Sequence, residues 1–282
     1  MILSQHVVKG TTTPVTICPL GDIQWAGRES DLAFDHIQAH IERCLSLPNP
    51  LFIGMGDYVD FASPSNREAL AKAPIYDTAR RVVDDAAKAL ADEVYEKILK
   101  PTRGKWLGLL SGHHYYPLKS GGTTDMYLAS KLDAEFLDVC AVINLTFTDK
   151  THHQSILLYT HHGCGDSVFP HGPLNKLYRV APNWGVDIFL MGHQTKKAVG
   201  EFDYIEAVFP HKGKPHLSHK TRHLVGTGGW TKCYQDGQTT YVERGMLPPV
   251  ALGQPLIHVR PVWRRSQTVG GQVWDSKVTV EV

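Results

Sequence analysis

The chain has 282 residues, 42% hydrophobic and 20% charged, a globular balance that excludes a disordered tract, a collagen-like repeat and a disulfide-bonded miniature scaffold. Lysine and arginine total 29 against 28 aspartate and glutamate, so the net charge of +1 offers no global field toward nucleic acid or an anionic membrane. Histidine is in excess at 16 residues, with adjacent pairs at His113-His114, His152-His153 and His161-His162, and imidazole is both a common metal ligand and the usual acid–base group near neutral pH.

From the N-terminus, residues 1–13 carry no apolar signal-peptide core, and no run approaches the roughly 18 apolar residues of a membrane span. Cys18, Cys44, Cys140, Cys164 and Cys233 are scattered without a C-x-x-C, which fits free thiols in a reducing compartment. The expectation is a cytoplasmic protein without a membrane partner. Apolar runs predict strands at 15–18, 51–55, 106–110, 156–159 and 186–191. Between the first two, a helix of about 16 residues presents Phe34, Ile37, Ile41, Cys44 and Leu45 on one face. A longer helix from about residue 78 repeats Val82, Ala86, Leu90, Val94 and Ile98, and Pro101 closes it. Shorter helices are expected at 124–132 and 173–180. Beyond residue 196 the pattern turns strand-like, at 204–209, 223–227, 239–243, 255–262 and 277–280. The fold class expected is α/β, with two packed mixed β-sheets flanked by helices. One domain spans 1–282: an α/β part over 14–195 and a β-rich part over 196–282 that completes the second sheet.

Each of the five apolar runs is followed by polar chemistry. Gly21-Asp22-Ile23-Gln24 follows the first and Gly56-Asp57-Tyr58-Val59-Asp60 the second. Gly112-His113-His114, His161-His162-Gly163 and Gly192-His193-Gln194-Thr195 follow the others. Neighbouring strands bring their ends together, and glycine permits the sharp turns and close approaches a shared site needs. Carboxylates and imidazoles converging there make a divalent-metal site.

The order and spacing of these motifs resemble the calcineurin-like metallophosphoesterase superfamily, whose motifs run D-x-H, G-D-x-x-D, G-N-H-[DE], a strand-end H-G and G-H-x-H. The resemblance covers 15 to about 195 and, more weakly, the tail. Residues 51–67 and 226–255 look similar to single-domain members from bacteriophages and their hosts, which implies a bacterial or phage-infected cytoplasm and a four-layer sandwich. It also implies that Asp57 bridges two metals. The first metal would take Asp22, but Gln24 and Thr195 stand where the family has histidine. The second would take Asp57, His113, His162 and His193, a set suited to zinc, iron or manganese. His162 precedes Gly163 as the family's ligand does, with His161 as the alternative; His113 alternatively points at substrate. The implied cofactors are one or two divalent ions, manganese, zinc, iron or magnesium, one tight and one loose. His114 matches the catalytic histidine that protonates the leaving oxygen. Tyr115 replaces the acidic residue that usually follows it, which puts its carboxylate support in doubt. Asp60 is expected to orient the Asp57 loop, or to complete the first site.

The activity implied is hydrolysis of a phosphodiester or phosphomonoester by metal-activated water, with nucleic acid one candidate substrate. Two rivals stand beside it: a non-catalytic scaffold of the same fold, and a single-metal hydrolase of altered specificity. Outside the motifs, the basic segment 211–223 reads as a solvated hairpin before it reads as a phosphate-binding flap. Lys196, Lys197, Asn66, Arg67 and Arg80 are open candidates for substrate contact. The oligomeric state is not legible.

Overall fold

Two mixed β-sheets face each other in the computed structural model of the protein, which describes residues 1–29, 32–149, 151–165, 167, 169, 171–209, 214–237, 239–265 and 272–282. The six-stranded sheet is ordered β1 (Ile2–Lys9), β5 (Cys140–Thr148), β6 (His153–His161), β7 (Ile188–Met191), β9 (His216–Thr227), β8 (Lys197–Val208). The five-stranded sheet is ordered β11 (Gln272–Glu281), β10 (Leu256–Arg265), β2 (Val15–Leu20), β3 (Pro50–Gly54), β4 (Trp106–Leu109). Strands β2, β3 and β4 pair in parallel, as do β6, β7 and β9, so each group ends on one edge of its sheet.

The central strands read as continuous apolar runs because both faces are covered. Ile17, Ile53 and Leu107 point into a core shared with Ile143, Leu158, Leu190 and Val225 of the opposite sheet. Cys18, Leu20, Phe52 and Trp106 point the other way, onto α1 (Phe34–Ser46), α3 (Asp77–Val94) and α4 (Thr124–Lys131). On the outer face of the six-stranded sheet, Tyr159, Phe189 and Leu224 pack on Leu177 of α5 (Gly172–Val180). The layers are therefore helices, sheet, sheet, helix. A further helix, α2 (Pro64–Lys72), begins where the Ser63 hydroxyl accepts from Asn66 N and Pro64 opens the first turn.

Several sequence expectations are corrected. The tail does not complete one sheet: β8 and β9 extend the six-stranded sheet, and β10 and β11 extend the other. The long helix buries Asp84, Ala87, Ala91 and Val94, while Val82 is 68% exposed. Alanine brings that stretch close to the sheet, and Val82 lies on the helix's solvent side. Residues 239–243 are not a strand. The Thr240 hydroxyl accepts from Val242 N while Glu243 accepts from Thr240 N, a reciprocal cap that starts the short helix α6 (Tyr241–Arg244). Strand β1, unread in the sequence, pairs with β5 in parallel. Among the described residues, no helix is long and apolar enough to cross a membrane.

Candidate metal centre

All five motif-bearing turns meet, and they come from both sheets. Asp22, Asp57 and the 112–114 turn leave the ends of β2, β3 and β4; His162 and His193 leave β6 and β7. The sheet edges approach so closely that two glycines are obligatory. A Cβ on Gly112 would stand 2.0 Å from Asp57 Oδ1, and one on Gly56, at φ +91°, would stand 2.5 Å from His162 Nδ1. Asp22, Gln24, Asp57 and His193 adopt left-handed φ of 49°, 51°, 54° and 64°, a concentration of backbone strain at one place.

His113, His162 and His193 form a cluster whose candidate ligand atoms all lie within 4.8 Å of one another. Nδ1 of His113 is 3.1 Å from Nδ1 of His193. Two nitrogens bound to one tetrahedral zinc stand about 3.3 Å apart, given the usual Zn–N bond. His162 is buried, and its Nδ1 donates to the Met55 carbonyl at 2.6 Å. That bond fixes the tautomer and aims Nε2 at Asp57 Oδ2, 3.4 Å away. Asp57 Oδ1 accepts from the backbone N–H groups of His113 and His114, which leaves Oδ2 for the cluster.

The charge balance fits a cation. Asp22 Oδ1, Asp57 Oδ2 and His162 Nε2 are buried and have no hydrogen-bond partner among the described residues. Such atoms are costly unless something charged satisfies them. Burial pushes Asp22 up to about 8, with His162 opposing and Asp57 adding to the rise. Burial also works against ionised Asp57, yet His162 and His114 hold it below the usual carboxylate range. His162 is raised to about 9, against burial, by Asp57. Burial and then the His162 charge pull His193 down to about 4, and the same two effects lower His113. Both therefore present neutral, ligand-competent nitrogens at neutral pH.

His114 lies beside the cluster. Its Nδ1 is 3.0 Å from Asp60 Oδ1 and its Nε2 is 3.9 Å from Asp57 Oδ2. The hydrogen bond to Asp60 raises His114 above its ordinary value, against burial. The carboxylate support that Tyr115 cannot supply comes from Asp60, so Asp60 serves His114.

The remaining sequence candidates divide. His161 accepts from Gly163 N at 2.7 Å and shapes the turn outside the three-histidine cluster. Gln24 shares the cavity above the site, with its Oε1 accepting from the Thr231 hydroxyl at 3.4 Å; Thr195 lines the same cavity. Arg67 donates to the carbonyls of His113 and Tyr115 and lies 4.0 Å over the Tyr115 ring, so it braces the histidine turn. Arg80 is tied to the carbonyls of Leu70 and Ala73, and Asn66 is exposed. Lys196 lines the cavity and donates to the Ser167 carbonyl, whereas Lys197 lines a separate pocket. The basic residues from Lys214 to His223 precede or lie on β9 toward the end away from Thr227, the end that leads to Gly229 beside Asp22. His211 and Lys212 of that segment lie outside the described residues.

Two contributors escaped the sequence reading. Asp125, fully buried at the start of α4, accepts from Gly112 N at 3.0 Å and holds the turn from behind. Nothing in its local pattern distinguishes it from a helix-start acid. The segment from Val242 to Val250 closes one side of the cavity; the T-x-x-E cap at Thr240 and Glu243 was its available signal. No family model, curated protein or solved structure matches the chain.

Proposed function

We propose that the chain is a metal-dependent phosphoesterase of the calcineurin-like type, with a His-rich second metal site and a depleted first one. The observation that carries this reading is the cluster of His113, His162 and His193, with the free oxygen of Asp57 3.4 Å from His162 Nε2 and His114 beside it. The donor set, three imidazoles and one carboxylate, suits zinc, iron or manganese. When bound, such an ion supplies Lewis acidity that lowers the pKa of a water and offsets charge on phosphoryl oxygens.

The chain's own residues would do the rest. Asp57 and the three histidines hold the ion, and the Met55 carbonyl keeps His162 in the tautomer that presents Nε2. His114, held by Asp60 and raised by it, points Nε2 toward Asp57 and would protonate the departing oxygen. Asp22 lies buried with one oxygen accepting from His193 N at 3.2 Å and the other free. With Gln24 engaged by Thr231 and no imidazole at position 195, an ion at the first site would bind weakly through oxygens.

Purified protein given bis-p-nitrophenyl phosphate and p-nitrophenyl phosphate with manganese, magnesium or zinc tests the reading. Turnover that falls sharply in His114→Ala and Asp57→Asn supports it. Absence of turnover with every metal overturns it in favour of a scaffold, and turnover indifferent to Asp57→Asn overturns the metal assignment.

A further inference from the structure

The cavity that opens on His114 and His193 has a volume of about 430 Å³, which suits a small ligand rather than a folded polymer. Its lining divides by chemistry. Asp60, His114 and His193 bring the reactive side, and Val242, Leu247, Pro248 and Val250 bring an aliphatic surface from the tail. Among the described lining residues Lys196 is the one Lys or Arg, and its ammonium is already shared with the Ser167 carbonyl. A site that tracks a nucleic-acid backbone needs several such cations, and stacking on bases needs aromatic faces. Neither Phe, Tyr nor Trp is among the described lining residues.

The aliphatic side is held in place by the fold and does not depend on a ligand for its order. Tyr234 donates its hydroxyl to the Leu247 carbonyl at 2.6 Å, Leu247 N donates to the Val242 carbonyl at 2.9 Å, and Thr240 and Glu243 cap each other. Val242 is buried, while Leu247 and Val250 are partly open to the cavity side.

From this division we infer that the substrate is a small phosphoester whose leaving group is uncharged and apolar, seated against Val242, Leu247 and Val250, and that a polynucleotide is not the substrate. The inference rests on the phosphoesterase reading and names the substrate class of that same site. Apolar contact made by the leaving group is discriminating because each buried methylene adds about tenfold or more in selectivity. A further negative charge on the leaving group would meet Asp60, and the one Lys or Arg among the described lining residues, Lys196, is already engaged by the Ser167 carbonyl.

The test measures binding and turnover separately, on the full chain loaded with manganese. Calorimetry compares methylphosphonate, butylphosphonate and a single-stranded oligonucleotide, and turnover is followed with p-nitrophenyl phosphate and bis-p-nitrophenyl phosphate. Butylphosphonate should bind at least about tenfold tighter than methylphosphonate, and the double variant Leu247→Ser, Val250→Ser should lose that preference while still binding methylphosphonate. A single variant, Val250→Thr, keeps the side-chain shape and should lose part of the preference, which serves if the double variant does not fold. Equal affinity for the two phosphonates, or tighter binding of the oligonucleotide, overturns the inference while turnover of the nitrophenyl esters leaves the phosphoesterase reading intact. No turnover of either ester removes both.

Discussion

Asp60 Oδ1 lies 3.0 Å from Nδ1 of His114, three residues along the same loop that carries Asp57. One loop therefore presents the Asp57 carboxylate of the candidate metal centre and, three residues later, the carboxylate that raises the neighbouring imidazole. This explains how His114 keeps an acid's partner although Tyr115 follows it.

Asp60→Asn should lower kcat by about 10²-fold or less, through His114. Asp60 raises His114, so its removal lowers that pKa and the protonated fraction is lost at lower pH. The alkaline limb of the pH–kcat profile should move toward acid. In the Asp60→Asn, His114→Ala double variant the loss should be no greater than in His114→Ala alone, because both act through one proton.

Asp125 carries the clearest pH dependence of stability. Burial raises it to about 7, against the Gly112 hydrogen bond, while in the unfolded chain it titrates near 4. A raised folded pKa means the folded state holds a proton the unfolded state has released. The stabilisation is complete below about pH 4 and is lost as pH rises through about 7. Denaturation of metal-free protein should show this decline, on the order of 3 kcal/mol, and Asp125→Asn should flatten it. Parallel profiles for the two proteins would place the titration elsewhere.

Gly112→Ala places a methyl 2.0 Å from Asp57 Oδ1 and 2.1 Å from Asp57 N, both parts of a buried turn that has no room to retreat. Stability should fall by about 3 kcal/mol. Gly185→Ala, where a Cβ meets nothing within 4 Å, should change it by less than about 0.5 kcal/mol. Thermal melts of the two variants make the comparison.

Arg67→Ala removes the guanidinium that bonds the carbonyls of His113 and Tyr115. Zinc affinity should fall by about tenfold, as for other partners that orient a ligand. Arg67→Lys should not restore it, since an ammonium lacks the planar fork and the stacking over Tyr115.

The chemistry of the site was more legible than its scaffolding. Asp22, Asp57, His113, His162 and His193 are readable because each sits beside a glycine directly after an apolar run, a pattern that survives without three-dimensional knowledge. The sheet to which each run belongs is not written locally: β2, β3 and β4 and then β6 and β7 look alike, and only long-range pairing separates them. Support residues are harder still. Asp60 and His114 are 54 positions apart and Asp125 and Gly112 are 13 apart, so no periodicity links them. Residues 239–243, which lead into the aliphatic side of the cavity, read as strand because Thr239 to Val242 has β-type residues, and the Thr240–Glu243 cap overrides that preference. Val82 shows the converse case, an apolar residue at helical spacing that faces solvent.

The central claim is that His113, His162, His193 and Asp57 hold one metal ion. Anomalous diffraction at the manganese or zinc edge, from crystals of protein purified by gel filtration after loading, tests it most directly. The account predicts one strong peak within about 2.3 Å of a nitrogen from each histidine and of Asp57 Oδ2, with weak or no density beside Asp22 and Gln24. Two peaks of equal strength, or a peak that omits the three histidines, would contradict it.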